Sequence, residues 1–158
     1  MTDKEFVLEA LKSIGLARAE ALQEKAGAMT GTELNAQADF LPDFQAAKAQ
    51  KNMLDRPIGF VCRSTAGRAV KLLQTYDSDT YPQEPEELDA QWGFVWSTDP
   101  EKALPFIEKA TSPYNTGECC TEAGRVYRSK MDNNVWAPSA YPQGWEDLGS
   151  IEEVMGVA

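Results

Sequence analysis

The spacing of apolar residues changes once along the chain, near Arg56-Pro57. Ahead of that point Phe6, Val7, Ala10, Leu11 and Ile14 recur at the helical period. Thr2 and Glu5 stand three apart as a capping box, and Gly15 follows as a stop signal. The pattern predicts a short amphipathic helix ending there. Leu16 to Lys25 reads as a second helix ended by Gly27, with a thin stripe of Leu16, Ala19 and Leu22 suited to packing on a neighbour. Thr32 to Phe40 predicts a further turn or two of helix, stopped by Pro42, and Gln45 to Leu54 reads either as helix or as linker.

Beyond Arg56 the period falls to two. Ile58, Phe60 and Cys62 alternate, and Ala69 to Gln74 reads as a strand with one apolar face. Ser78 to Asp89, with Pro82, Pro85 and its acidic residues, reads as a solvated loop with no packed core of its own. Gln91 to Trp96 is a strand, and Asp99-Pro100 supplies an N-cap and a first position for a short helix through Ile107. Ser112 to Thr116 is a turn-forming link. A hairpin follows around Glu122-Ala123-Gly124, then an ordered loop that presents Trp136 and Tyr141 before Trp145.

These β segments contain one pattern twice. Gly59-Phe60-Val61-Cys62, Gly67 to Lys71, Tyr76-Asp77, Pro85 and Trp92 correspond in order to Gly117-Glu118-Cys119-Cys120, Gly124 to Arg128, Asp132, Pro138 and Trp145. The expected fold is α+β: short N-terminal helices followed by two small, related β-hairpin or three-stranded modules. The expected division is a helical attachment or oligomerisation segment at 1–55, a first β module at 56–112 and a second at 113–158. Modules this small bury little surface alone, so they must lean on each other, on the N-terminal segment or on other subunits.

Charge and residue types narrow the function. The chain has 158 residues and a formal net charge of −10, a field that repels nucleic acid and anionic lipid. No apolar run approaches a bilayer span, and the first residues show no basic region leading into an apolar one, so the expectation is synthesis in a cytoplasm without export. The three cysteines, Cys62, Cys119 and Cys120, do not make a disulfide scaffold, and a Cys62–Cys120 bridge is an outside alternative. There is no histidine, which removes the histidine-based dyads and triads and the commonest zinc ligand, so neither catalytic nor metal-binding residues nor a cofactor are expected. Glu84, Glu86, Glu87 and Asp89 supply carboxylates of the type a glycosidase uses, but a charge run between prolines reads first as a solvated loop.

The aromatics point instead to binding. Sugar rings offer apolar C–H faces that stack on exposed Trp or Tyr while neighbouring polar groups bond the hydroxyls. Trp136 and Tyr141, beside Asn133 and Asn134, form such a platform in the sequence, and Trp145 completes the candidate set. Trp145, like Tyr127 and Trp92, falls on a strand and reads first as core. Because Trp136 lies in a loop, it is expected, with Tyr141, to be the most exposed aromatic surface of the chain.

The stretch Thr116 to Gly149, with Gly124 to Ser129, Asp132 to Pro138 and Tyr141-Pro142-Gln143-Gly144-Trp145, resembles the small chitin-binding type of carbohydrate-binding module. It departs from that pattern at Glu118, where aspartate is usual, at the adjacent Cys119 and Cys120, and in the first repeat, which lacks the Asn-Asn-x-Trp loop. Together with the helical N-terminus and the segment Pro57 to Ile107, it looks similar to virion proteins of tailed phages that infect gut bacteria. The resemblance implies a head fibre or decoration protein, made in the bacterial host cytoplasm and located in the virion. Its implied partners are further copies of itself, as a homotrimer or other oligomer, phage capsid or tail proteins, and host surface polysaccharide. A stand-alone chitin-type binding module and an oligomeric adaptor without a ligand are the alternatives.

Overall fold

In the computed structural model, which describes residues 2–156, the first two helical stretches are a single helix, α1 (Asp3–Lys25). Its capping box forms as the spacing predicts: the Glu5 N–H donates to Thr2 Oγ1 and the Thr2 N–H to Glu5 Oε2, both at 3.1 Å. Gly15 lies inside the helix instead of ending it. An interior glycine costs only about 1 kcal/mol relative to alanine, and no proline or turn-forming neighbour accompanies this one. The break comes at Gly27, within a 3-10 turn at Ala26–Ala28.

Only the last part of α1 rests on the molecule. Leu22 is buried, the Arg18 guanidinium lies 4.8 Å from the centre of the Phe40 ring, and the Gln23 amide bonds both main-chain groups of Val61. Gln23 Oε1 accepts from the Val61 N–H at 2.9 Å, and its Nε2 donates to the Val61 carbonyl at 2.6 Å. This caps the outer edge of the first sheet with a side chain, one way a protein keeps a strand edge from pairing elsewhere. Phe6, Val7, Leu8, Leu11, Ile14 and Leu16, by contrast, are all exposed.

The remainder of the helical region belongs to the core. After α2 (Gly31–Ala36), a 3-10 turn at Ala38–Phe40, α3 (Phe44–Gln50) and a second turn at Met53–Asp55, the residues Leu34, Phe44, Ala47 and Met53 are all buried. Both alternatives for Gln45 to Leu54 resolve to helix followed by a packed turn.

Two sheets follow, so the α+β class holds. The first is an antiparallel meander of β1 (Val61–Arg63), β2 (Ala69–Leu72) and β3 (Trp92–Phe94). The second has a fourth strand beyond the expected three. β4 (Leu104–Pro105) runs parallel to β5 (Cys119–Glu122), which continues antiparallel into β6 (Arg125–Ser129) and β7 (Trp145–Ser150). The helix expected from Asp99-Pro100 through Ile107 is accordingly one 3-10 turn, Pro100–Lys102, capped by Asp99. Pro105 excludes a longer helix, because it cannot donate a helical hydrogen bond and it drives Leu104 into the extended region. The Phe106 N–H then donates to the Thr121 carbonyl at 2.9 Å.

The repeat has a structural counterpart. Gly67 and Gly124 both take positive φ in the first hairpin of their sheets, and Trp92 and Trp145 both open the last strand of their sheets. Each tryptophan stands opposite the last residue of the preceding strand, Leu72 or Ser129. Cys62 and Cys120 both point into the interior. All three cysteines are free and buried, and burial pushes each thiol pKa above its ordinary value, so they behave as small apolar side chains.

The core crosses all three sequence regions. Phe44, Met53, Trp92, Trp96, Tyr114 and Trp145 belong to one buried cluster. Trp96 and Tyr114 stack at 4.4 Å between ring centres, and Tyr114 meets Trp145 edge-on at 5.3 Å, joining the two sheets. The acidic loop is anchored as well as solvated: Pro85 and Ser78 are buried, and Glu86 lies 3.4 Å from the mostly buried Arg68.

Candidate functional site

The loop that leads from β6 to β7 is built around one side chain. Asn134 is fully buried, and its amide supplies what the loop backbone would otherwise lack. Its Nδ2 donates to Ser129 Oγ at 3.1 Å and to the Gly144 carbonyl at 3.2 Å, while its Oδ1 accepts from the Trp136 N–H at 3.3 Å. Its main chain exchanges two further hydrogen bonds with Tyr114, at 2.7 and 2.9 Å. Asn134 therefore ties both ends of the loop to the sheet, and it has no surface left for a ligand. Its neighbour Asn133 is exposed and turns the chain with φ of 56°, a left-handed conformation that asparagine tolerates better than most residues. The Asn133 N–H donates to Asn115 Oδ1 at 3.1 Å.

This scaffold fixes where the rings go. The Trp145 indole N–H donates to the Trp136 carbonyl at 2.8 Å, which holds the Trp136 backbone inward and leaves its ring outside. Trp136 is 48% exposed and Tyr141 38%, with ring centres 5.6 Å apart and planes tilted by 55°. Trp136 is the one exposed tryptophan of the four, since Trp92, Trp96 and Trp145 are buried. Gly144 makes the arrangement possible: a Cβ there would come within 2.9 Å of the Tyr141 ring and 3.1 Å of the Asn134 amide. Around the two rings Asn133, Ser139 and Gln143 are exposed and carry hydrogen-bonding groups of the kind sugar hydroxyls need.

Of the five candidate residues, the structure brings Trp136, Tyr141 and Asn133 to the surface of one loop. Asn134 and Trp145 lie beneath it and act by positioning. Trp136 is not, however, the most exposed aromatic residue by fraction. Phe6 on α1 and Tyr81 in the acidic loop stand at 65% and 52%, the first because nothing covers that helix and the second because it precedes Pro82 in a solvated turn.

A groove of about 430 Å³ lies beside the loop, with Tyr127, Pro138 and Trp145 among its lining residues and Glu122 and Asp147 on its walls. Sequence reading missed these two carboxylates, which sit on different strands. The only available signal was strand pairing, since Asp147 stands opposite Tyr127 and Glu122 ends the hairpin. Both already have partners: Glu122 Oε1 accepts from the Ser139 N–H at 2.9 Å, and Asp147 takes the Arg125 Nε–H at 2.9 Å. The Arg125 bond holds the Asp147 carboxyl below its ordinary pKa.

Three of the four carboxylates between Glu84 and Asp89 are likewise occupied, and the exposed Glu87 is the exception. Glu84 accepts from the Thr65 N–H at 2.9 Å and from the Gln45 amide, Glu86 faces Arg68, and Asp89 pairs with Lys109 at 2.6 Å. Glu118, the departure from the chitin-binding pattern, is half-buried and accepts from the Asn115 N–H at 2.6 Å; burial raises its pKa. Comparison of the chain with protein-family models, with curated proteins and with solved structures gives no match in any of the three.

Proposed function

We propose that the chain is a virion structural protein of a tailed phage, of the head-fibre or decoration kind, that displays the Trp136–Tyr141 surface to host glycan. It acts by binding and performs no chemistry of its own. The observation that carries this reading is the exposed ring pair on a loop wired from below by the buried Asn134. Large aromatics cost free energy when held in water, and this loop spends a buried side chain and a glycine to hold them there. Two rings tilted by 55° offer two stacking faces, which suits a twisted sugar chain better than a flat crystal face.

Aromatic contacts contribute only about 0.5–1.5 kcal/mol each beyond their buried area, so one copy binds weakly. Useful affinity would come from many copies on a particle, where linkage raises the effective concentration. The net charge of −10 favours neutral or amine-bearing polymers over acidic ones. The test is Trp136→Ala in protein arrayed on beads and applied to insoluble chitin and to purified bacterial cell wall. The variant should fold as the parent does and lose retention. Equal retention of parent and variant sinks the reading.

A further inference from the structure

We propose that Glu122 is a positioning residue of the exposed ring pair: its carboxylate props the turn that separates Trp136 from Tyr141 and so sets the angle between the two rings. That turn is a closed unit. The Ala137 carbonyl accepts from the Ala140 N–H at 3.0 Å and from the Tyr141 N–H at 2.9 Å, so residues 137–141 move as one piece. Trp136 stands just before it and Tyr141 at its end. Pro138 is buried, while Ser139 and Ala140 at the tip are exposed.

The two rings are not held alike. Trp136 is fixed from inside the loop, by the Trp145 indole N–H on its carbonyl and by Asn134 Oδ1 on its N–H. Tyr141 is held on one side by the Gly144 N–H, which donates to its carbonyl at 3.1 Å. On the other side it depends on the turn. Among the described residues, the turn makes one hydrogen bond to anything outside its own loop: the Ser139 N–H donates to Glu122 Oε1 at 2.9 Å. Without that bond the turn swings on its two ends, and Tyr141 changes its tilt against a stationary Trp136.

The position of Glu122 suits this work. It ends β5 opposite Arg125, where the tight hairpin at Ala123-Gly124 fixes its backbone. From there its side chain reaches across to the turn, so length matters as well as charge. A main-chain N–H on a carboxylate is a charge-assisted bond, stronger than one between neutral groups. Asp147 lines the same groove, yet its carboxylate is spent on Arg125 and on the Gly149 N–H at 2.9 Å, both within the sheet. Of the two carboxylates, only Glu122 supports the loop.

The proposal rests on the glycan reading for its effect on binding, whereas the ring geometry is measurable without a glycan. The ring-current displacement of the Tyr141 ring protons by Trp136, defined in nuclear magnetic resonance spectra of the full chain as the part lost in Trp136→Ala, reports that geometry. Glu122→Gln keeps the reach and an acceptor oxygen and should keep most of the displacement. Glu122→Asp keeps the charge but is one methylene short, and Glu122→Ala keeps neither; both should lose it. Asp147→Asn should leave it in place. Retention of bead-arrayed protein on chitin and bacterial cell wall should follow the same order, falling several-fold for the aspartate and alanine variants and little for the glutamine. A displacement that survives Glu122→Ala, that is kept in Glu122→Asp but lost in Glu122→Gln, or that is missing from the parent overturns the proposal. So does retention lost in Glu122→Ala with the ring signature unchanged, since the carboxylate then meets the glycan directly. Retention that survives Trp136→Ala removes the glycan reading instead, and the ring signature still decides the role of Glu122.

Discussion

The loops that lead into the last strand of each sheet solve the same problem and end with opposite surfaces. In both, the indole N–H of the tryptophan that opens the strand must find an acceptor once the ring is buried. In the first sheet the acceptor is a side chain: Trp92 Nε1 donates to Tyr76 Oη at 2.9 Å. The phenol has to be inside to reach it, so Tyr76 is buried and packs edge-on against Trp92 with ring centres 6.3 Å apart. In the second sheet the acceptor is the Trp136 main-chain carbonyl. A backbone acceptor leaves its own side chain free, and the Trp136 ring stands outside. The choice of acceptor, side chain or main chain, decides whether a loop aromatic becomes core or surface.

The comparison breaks most visibly at the tryptophans. Trp92→Ala should lower stability by about 3–5 kcal/mol, the range for removing a buried aromatic, whereas Trp136→Ala should change it by no more than about 0.5 kcal/mol. Urea midpoints of the two variants check this. Equal losses would mean that the second loop is as much a part of the core as the first.

A sharper contrast removes only the acceptor. Tyr76→Phe keeps the ring and leaves the Trp92 N–H buried without a partner, at a cost of about 1–3 kcal/mol. Trp136→Phe keeps the carbonyl that Trp145 uses and should be near neutral. A proton resonance of the Trp92 indole that exchanges faster in Tyr76→Phe, with Trp145 unchanged in Trp136→Phe, would confirm that the two acceptors play one role. If both variants lose the same stability, the distinction between side-chain and main-chain acceptors has no energetic content.

The hairpins differ more gently. The first spends five residues, Ser64 to Arg68, with Gly67 at positive φ, and the second turns on two, Ala123 and Gly124, both at positive φ. That two-residue form favours Asn-Gly, and alanine pays for its left-handed conformation. Ala123→Asn should therefore raise stability on the order of 0.5 kcal/mol. The expected signature is a small upward shift in the thermal midpoint, and a fall would show that Ala123 has a packing role.

Local signals in the chain determined a good deal. The Thr2–Glu5 box, the break at Gly27, a strand within Gln91–Trp96 that forms at Trp92–Phe94, the turn at Ala123-Gly124 and the α+β class are all set by capping, turn chemistry and alternation among near neighbours. The placement of Trp136 and Tyr141 in a loop was legible for the same reason: asparagines and prolines on either side exclude a regular element. What tertiary structure decided were the matters that depend on partners far along the chain. Gly15 carries no information about whether a later helix will continue the earlier one. Leu104-Pro105 became a strand only because β5 lay ready to pair with it. Asn133 and Asn134 are identical residues side by side, yet one faces water and the other holds the loop, because Ser129 and Gly144 converge on one of them. The exposure of α1 came from the fold as well: Leu34, Phe44 and Met53 fill the interior from residues 26–55, and the apolar residues Phe6 to Leu16 of α1 are left outside it.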